Sequence, residues 1–156
     1  MIKLLRTSSD HEDFIALVRL LDADLAKRDG EEHSFYAQFN KIDKINYVVV
    51  AYEKETPLGC GAIKEYDATT MEVKRMYVVP EGRNKGIASK ILSELENWAS
   101  ELSYTTCVLE TGKRQPEAIA LYLKNGYKVI ANYGQYMGME NSVCFEKEVK
   151  AMRRTD

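Results

Sequence analysis

The segment Met71–Leu92, MEVKRMYVVPEGRNKGIASKIL, constrains the fold more than any other part of the chain. It reads as a strand, a tight turn through Pro80 and Gly82, and the start of a helix. Arg83-Asn84-Lys85-Gly86-Ile87-Ala88 lies between strand and helix. Such a turn directs several backbone N–H groups and the positive end of a helix dipole at one small volume, a setting that suits a pyrophosphate. Gly86 lets phosphate oxygens approach the backbone with no side chain in the way. Arg83 and Lys85 add full charges beside the dipole's partial one. The same residues would also serve as an ordinary solvated connection, and a short glycine motif alone does not choose between the two.

The rest of the chain supplies context. Lys3–Arg6 reads as a first strand, and Phe14, Leu17, Val18, Leu21 and Leu25 as the apolar stripe of a helix. Ser9-x-x-Glu12 fits a capping box for that helix and Gly30 its stop. His33–Asn40 fits a second short helix. Tyr47–Tyr52 is nearly continuously apolar, as in a buried strand. Leu58–Lys64 and Met71–Val79 follow as strands. A helix is expected from about Asn84 to Ser100 with Ile87, Ile91, Leu92, Leu95 and Trp98 inward, then a strand at Thr106–Glu110. Pro116 opens the next helix at the position proline favours, and Asn125-Gly126 closes it. Two final strands, Tyr127–Asn132 and Ser142–Val149, flank Tyr133–Asn141. Antiparallel strands followed by β–α–β–α–β place the chain in the α/β (α+β) class, with a mixed sheet and helices on both faces.

At 156 residues a single domain spanning 1–156 is expected. The apolar share of 45% and charged share of 29% are those of a globular protein. A net charge of −2 gives no general attraction to nucleic acid or anionic membranes, and neither is expected as a partner. Met1–Arg6 lacks the apolar run of a signal peptide, and no segment reaches membrane-spanning length. Three separated cysteines, Cys60, Cys107 and Cys144, point to free thiols in a reducing, cytoplasmic setting. His11 and His33 have no partner at metal-ligand spacing, so no metal site is expected.

Arg83-x-x-Gly86-x-Ala88, placed directly after a strand ending Met76-Tyr77-Val78-Val79-Pro80, resembles the acyl-CoA signature of the GCN5-related N-acetyltransferase (GNAT) superfamily. A second block, Gln115-x-x-Ala118-Ile119-Ala120-Leu121-Tyr122-Leu123-Lys124-Asn125-Gly126-Tyr127, resembles the family's later helix and strand. There Gln115 stands for the usual Asn and Tyr127 for the usual Phe. The likeness runs from about Tyr47 to Glu148. It implies a mostly antiparallel sheet in which two parallel strands, here Met71–Val79 and Thr106–Glu110, splay apart to admit the pantetheine arm of acetyl-CoA as cosubstrate. Frequent dimers in the superfamily make a homodimer an implied possibility.

Amide formation from a thioester and an amine sets three tasks. A lysine-like amine, of pKa about 10.4, must lose a proton at a cost of roughly 4–5 kcal/mol at pH 7. Glu72, on the splayed strand, is the candidate base; Glu65 and Glu110 are further carboxylates on strands near the expected cleft. Each could equally be a solvated carboxylate paired with lysine. The oxyanion needs placed donors. The resemblance assigns this to a backbone N–H of a bulge at Tyr77 and Val78, while Met76 and Val78 offer backbone bonds to the pantetheine amides. The leaving thiolate needs a proton donor, which the resemblance implies to be Tyr122; the alternative is a tyrosine packed on the sheet. Along the turn Arg83, Asn84, Lys85, Gly86, Ile87, Ala88 and Ser89 would hold the cofactor, with Gln115 bonding the pantetheine. Cys144 has no histidine near it in sequence, which argues against an acetyl-enzyme.

Acceptor recognition is expected in the parts least like the family: Glu31 and Glu32 with Tyr36, and Tyr133, Gln135 and Tyr136 before Asn141-Ser142. The carboxylates suit a cationic substrate and the tyrosines stacking or hydrogen bonding. The function implied is transfer of an acetyl group to a primary amine of a small molecule by direct attack in a ternary complex. A protein or peptide acceptor and a CoA-binding module without turnover stay as alternatives. A P-loop hydrolase is disfavoured because the turn lacks Gly-Lys-Ser/Thr.

Overall fold

The computed structural model describes residues 1–29 and 44–149. Their elements are β1 (Ile2–Thr7), α1 (Glu12–Asp29), β2 (Tyr47–Glu53), β3 (Thr56–Asp67), β4 (Thr70–Val78), α2 (Ile87–Glu101), β5 (Thr106–Gly112), α3 (Pro116–Lys124), β6 (Lys128–Ile130) and β7 (Ser142–Glu148). Seven strands form one mixed sheet in the order β1-β2-β3-β4-β5-β7-β6. β4 and β5 are the parallel pair, whereas β1–β2, β2–β3, β5–β7 and β6–β7 run antiparallel. The parallel register covers Thr70↔Thr106 to Glu72↔Val108. Both strands continue beyond it, to Val78 and Gly112. Gly30, Glu31, Glu32, Tyr36 and the helix expected at His33–Asn40 lie outside the described residues.

The chain divides into two compact units, and β3, β4 and α2 each contribute to both. Among the described residues, the first comprises 1–29, 44–64 and 74–95. Its core joins Phe14, Leu17 and Val18 of α1 to Ile45, to Val48 and Val50 of β2 and to Cys60 and Ala62 of β3. Ile87, Ile91, Leu92 and Leu95 of α2 are fully buried, as their helical spacing predicts. Among the described residues, the second unit comprises 65–73 and 96–149. There β5 pairs with β7 from Thr106↔Glu148 to Gly112↔Ser142, and Cys107, Leu109, Tyr122, Tyr127 and Phe145 are buried.

Two local expectations need correction. Ser9 does not cap α1. Its buried hydroxyl accepts the Ile45 N–H at 2.8 Å, tying the start of the helix to the approach to β2, while His11 Nδ1 accepts the Asp13 N–H at 3.1 Å. The helix expected from Asn84 begins at Ile87 instead. Asn84 and Gly86 sit at φ 65° and 75°, in the left-handed region, so the chain cannot be helical until it has passed both.

Candidate active site

In the first unit the end of β4 and the start of α2 build the turn from Met76 to Ser89. Arg75 holds φ 60° within β4, in the left-handed region that side-chain-bearing residues seldom adopt. Its carbonyl accepts the Cys60 thiol at 3.3 Å, and its buried guanidinium lies 3.7 Å from Asp22. Gly59 makes the close approach possible: a Cβ there would stand 2.9 Å from the carbonyl oxygen of Tyr77. Val79 N–H is taken by the Leu58 carbonyl at 2.9 Å. Tyr77 packs against the core cluster, and Met76 and Val78 are half-buried.

After a 3₁₀ turn at Pro80–Gly82, Arg83 reaches back and donates from Nε to the Val78 carbonyl at 3.1 Å. That bond uses one face of the guanidinium and fixes its direction. Lys85 pairs with Glu53 at 3.3 Å across a half-open surface, an interaction weak enough for a stronger anion to displace. Arg83, Asn84, Lys85 and Gly86 are exposed, Ala88 and Ser89 half-buried, and Ile87 is buried as the anchor. Gly86 O accepts the Lys90 N–H at 3.1 Å, opening the 15-residue α2, whose first turn carries no acidic residue. A Cβ on Gly86 would meet nothing within 4 Å. The residues fit a diphosphate: two exposed cations, a helix N-terminus and a backbone with open space before it.

The second unit gathers a different set. Tyr133 donates its hydroxyl to Glu72 Oε2 at 2.6 Å, joining residues 61 positions apart. Glu72 is 9% exposed. The Tyr133 ring meets Tyr66 and Tyr136 edge-on, with centroids 5.1 and 5.7 Å apart. Tyr136, on a 3₁₀ turn at Gly134–Tyr136, is buried, and exposed Gln135 bonds to its hydroxyl. Ser142 donates to Glu110 at 2.7 Å. Glu65 instead accepts the Tyr104 hydroxyl at an exposed position. The pleat explains the grouping. Glu72 pairs with Val108, Glu110 lies two residues further along β5, and Cys144 and Ser142 face Glu110 and Gly112. Paired residues and those two apart share a face.

Burial, then the charge and hydrogen bond of Glu72, pushes the Tyr133 hydroxyl far above the ordinary tyrosine value. Tyr136 is raised by burial and by the charges of Glu110 and Glu72. Two carboxylates among three tyrosine rings make an electron-rich lining suited to a cation.

Tyr122 comes from the opposite face. Its ring lies 5.7 Å from Phe145 and 5.8 Å from Tyr127, and Phe145 pairs with Leu109 rather than Glu110. Burial and then the Glu110 charge raise its pKa, so the hydroxyl keeps its proton throughout the neutral range. Gln115 precedes α3 and its side chain makes no capping bond. All three cysteines are buried and free. Burial pushes Cys60 and Cys107 up to about 12 and Cys144 up to about 11, so none carries a useful thiolate at neutral pH.

Sequence reading missed Tyr66. The available signal was the polar run Lys64–Asp67 before the Asp67-x-Thr69 turn, which extends β3 past Lys64 and carries Tyr66 to Tyr133. Among the described residues no group of three His, Cys, Asp or Glu side chains could hold a metal ion, and no helix is long and apolar enough to cross a membrane.

The model of the acetyltransferase (GNAT) family matches residues 14–127. The IAA acetyltransferase of Azospirillum brasilense is 30% identical over 148 residues, covering 94% of this chain and 97% of its own. A Klebsiella pneumoniae structure described as an acyl-CoA N-acyltransferase superposes with a TM-score of 0.80 at 28% identity, covering 96% of this chain and 98% of that one. The PaiA N-acetyltransferase of Thermoplasma acidophilum, solved with coenzyme A, shares the fold with a TM-score of 0.69 at 21% identity, covering 95% and 99%. With the family model spanning most of the chain and the parallel β4–β5 pair in place, the chain belongs to the GNAT acetyltransferase family.

Proposed function

We propose that this protein is an acetyl-CoA-dependent N-acetyltransferase that acetylates a primary amine of a small molecule by direct attack in a ternary complex. The observation that carries the reading is the turn at Arg83–Gly86, cationic, left-handed at two residues and open in front of Gly86. Family membership supports it, as do the coenzyme A bound in the Thermoplasma relative and the acetyltransferase name of the Azospirillum one. Acetyl-CoA supplies an activated acetyl thioester.

The chain's residues then divide the work. Arg83, Lys85 and the amides from Asn84 to Ser89 take the diphosphate. Met76 and Val78 offer strand-like bonds to the arm, and Gln115 a further one. Backbone N–H groups at Tyr77 and Val78, just beyond the left-handed Arg75, serve the developing oxyanion; losing one such donor typically costs about 3 kcal/mol. Glu72, oriented by the Tyr133 hydroxyl, receives the amine proton, directly or through water. Tyr122 stabilises the departing sulfur by donating a hydrogen bond. Its raised pKa lies above the ordinary thiol value of about 8.5, so it holds its proton rather than surrendering it outright. Glu110, Tyr133, Gln135 and Tyr136 form the acceptor side, and their character favours an amine that arrives protonated.

The test is a panel of free amines and short peptides incubated with labelled acetyl-CoA. Label is expected on small amines. Label confined to peptides would reject the small-molecule acceptor, and no transfer to any amine would reject the activity.

A further inference from the structure

The backbone of β4 from Arg75 to Val79 is held against β3 from several sides. The Cys60 thiol donates to the Arg75 carbonyl at 3.3 Å. Further on, the Val79 N–H bonds to the Leu58 carbonyl of β3 at 2.9 Å, and the Val78 carbonyl accepts Arg83 Nε at 3.1 Å. Between these fixed points the Tyr77 carbonyl lies so close to Gly59 that a Cβ there would stand 2.9 Å from its oxygen. Side chains essentially never come that near. The described peptide bonds are all trans, and in a planar trans peptide the C=O and N–H point in opposite directions. With the Tyr77 oxygen against β3, the N–H of Val78, in the same rigid plane, points away from β3. The next plane agrees: its N–H, on Val79, turns to β3, and its carbonyl, on Val78, turns away to Arg83. Val78 therefore presents its N–H on the side where Arg83, a diphosphate candidate, meets its carbonyl.

We infer that Gly59 and Cys60 are positioning residues for the oxyanion donor at Val78. Gly59 leaves room for the Tyr77 carbonyl, and so sets the plane that carries the Val78 N–H. Cys60 holds the Arg75 carbonyl and fixes the chain as it enters that stretch. This rests on the acyltransferase reading and adds to it two β3 residues that touch neither reactant. An oxyanion donor works by being aimed beforehand, so a small turn of this plane is read in the rate.

Gly59→Ala tests the aim. Gly59 is outside the left-handed region, so alanine suits its backbone. Its methyl group would also meet the side-chain ends of Ile91 and Val78 at 3.1 Å, which can give, but the Tyr77 carbonyl moves only by turning its peptide. Gly61→Ala is the control on the same face of β3. Its Cβ would meet only side-chain atoms, of Met76, Ile91 and Leu95, at 2.5 to 2.9 Å. For each protein, melting and coenzyme A affinity are measured, and kcat is taken well below the melting point with saturating acetyl-CoA and the best amine of the panel. Gly59→Ala is expected to lose at least tenfold in kcat, with coenzyme A affinity within about threefold of wild type. Gly61→Ala is expected to melt lower as well, yet to keep kcat within about threefold. Cys60→Ala is expected to lower kcat by roughly three- to tenfold, and Cys60→Ser, which keeps a donor, to restore it. Wild-type kcat in Gly59→Ala, or equal losses in Gly59→Ala and Gly61→Ala, overturns the role of Gly59. Cys60→Ser as slow as Cys60→Ala overturns that of Cys60. Should Gly59→Ala not fold, the Cys60 pair decides. A wild-type protein that transfers acetyl to no amine refutes the acyltransferase reading itself, and the positioning role with it.

Discussion

Gly86→Ala separates the cost of the turn's backbone from the cost of its function. Gly86 holds φ 75°, where an L-residue costs roughly 1–2 kcal/mol. No protein atom would touch the new Cβ within 4 Å, so backbone strain is the whole expected penalty to stability. For a chain of this size that corresponds to a fall in Tm of roughly 2–8 °C. The ligand is affected differently. The methyl group occupies the open space before the α2 N-terminus and keeps phosphate oxygens from the backbone amides. Losing one or two charge-assisted bonds, each about 1.5–3 kcal/mol, weakens coenzyme A binding by at least tenfold. Thermal melting and calorimetric titration of the same preparation read the two effects. Coenzyme A affinity equal to wild type in a variant that melts within the expected interval would refute the assignment of the diphosphate to this turn.

Tyr122→Phe is expected to lower kcat while leaving coenzyme A affinity nearly unchanged, measured by thiol release and calorimetry; an unchanged kcat removes the hydroxyl from the reaction. Glu72→Gln is expected to lower kcat/KM by about 10²–10⁴, the usual contribution of a placed base, and wild-type rates across the pH range would exclude it. With Cys144 pushed up to about 11, only about one thiol in a thousand is ionised at pH 8. Iodoacetamide at that pH should therefore leave activity intact, and rapid inactivation or a trapped acetyl-enzyme would contradict direct transfer. Burial raises Tyr127, Tyr133 and Tyr136 in the native state. Their contribution is whole below the unfolded value of about 10 and is lost as pH climbs toward the folded-state values, because only the unfolded chain then releases their protons. Tm should fall above pH ~10, and full tyrosinate absorbance should accompany unfolding; full titration near pH 10 with structure intact would contradict these shifts.

What could be read from the sequence was local. Met71–Leu92 declared its strand and helix because the apolar spacing changes from the strand to the helical period across one turn. Pro116 marked the start of α3 to the residue. The start of α2 was misplaced because the spacing of Ile87, Ile91 and Leu95 says nothing of φ at Asn84 and Gly86. Ser9 looked like a cap because composition cannot show that Ile45 competes for its hydroxyl. The site behaves likewise. Glu72, Tyr133 and Tyr136 could each be named singly, but the bond between Glu72 and Tyr133, the Ser142 bond to Glu110 and the place of Tyr66 depend on strand register. Register is set by pairings far apart in the chain.

Calorimetric titration of acetyl-CoA into the folded wild-type protein, with thiol release followed in the presence of amines, tests the central claim most directly. Saturable one-site binding and amine-dependent release of coenzyme A are predicted. Absence of binding heat from a protein that melts cooperatively would contradict the account.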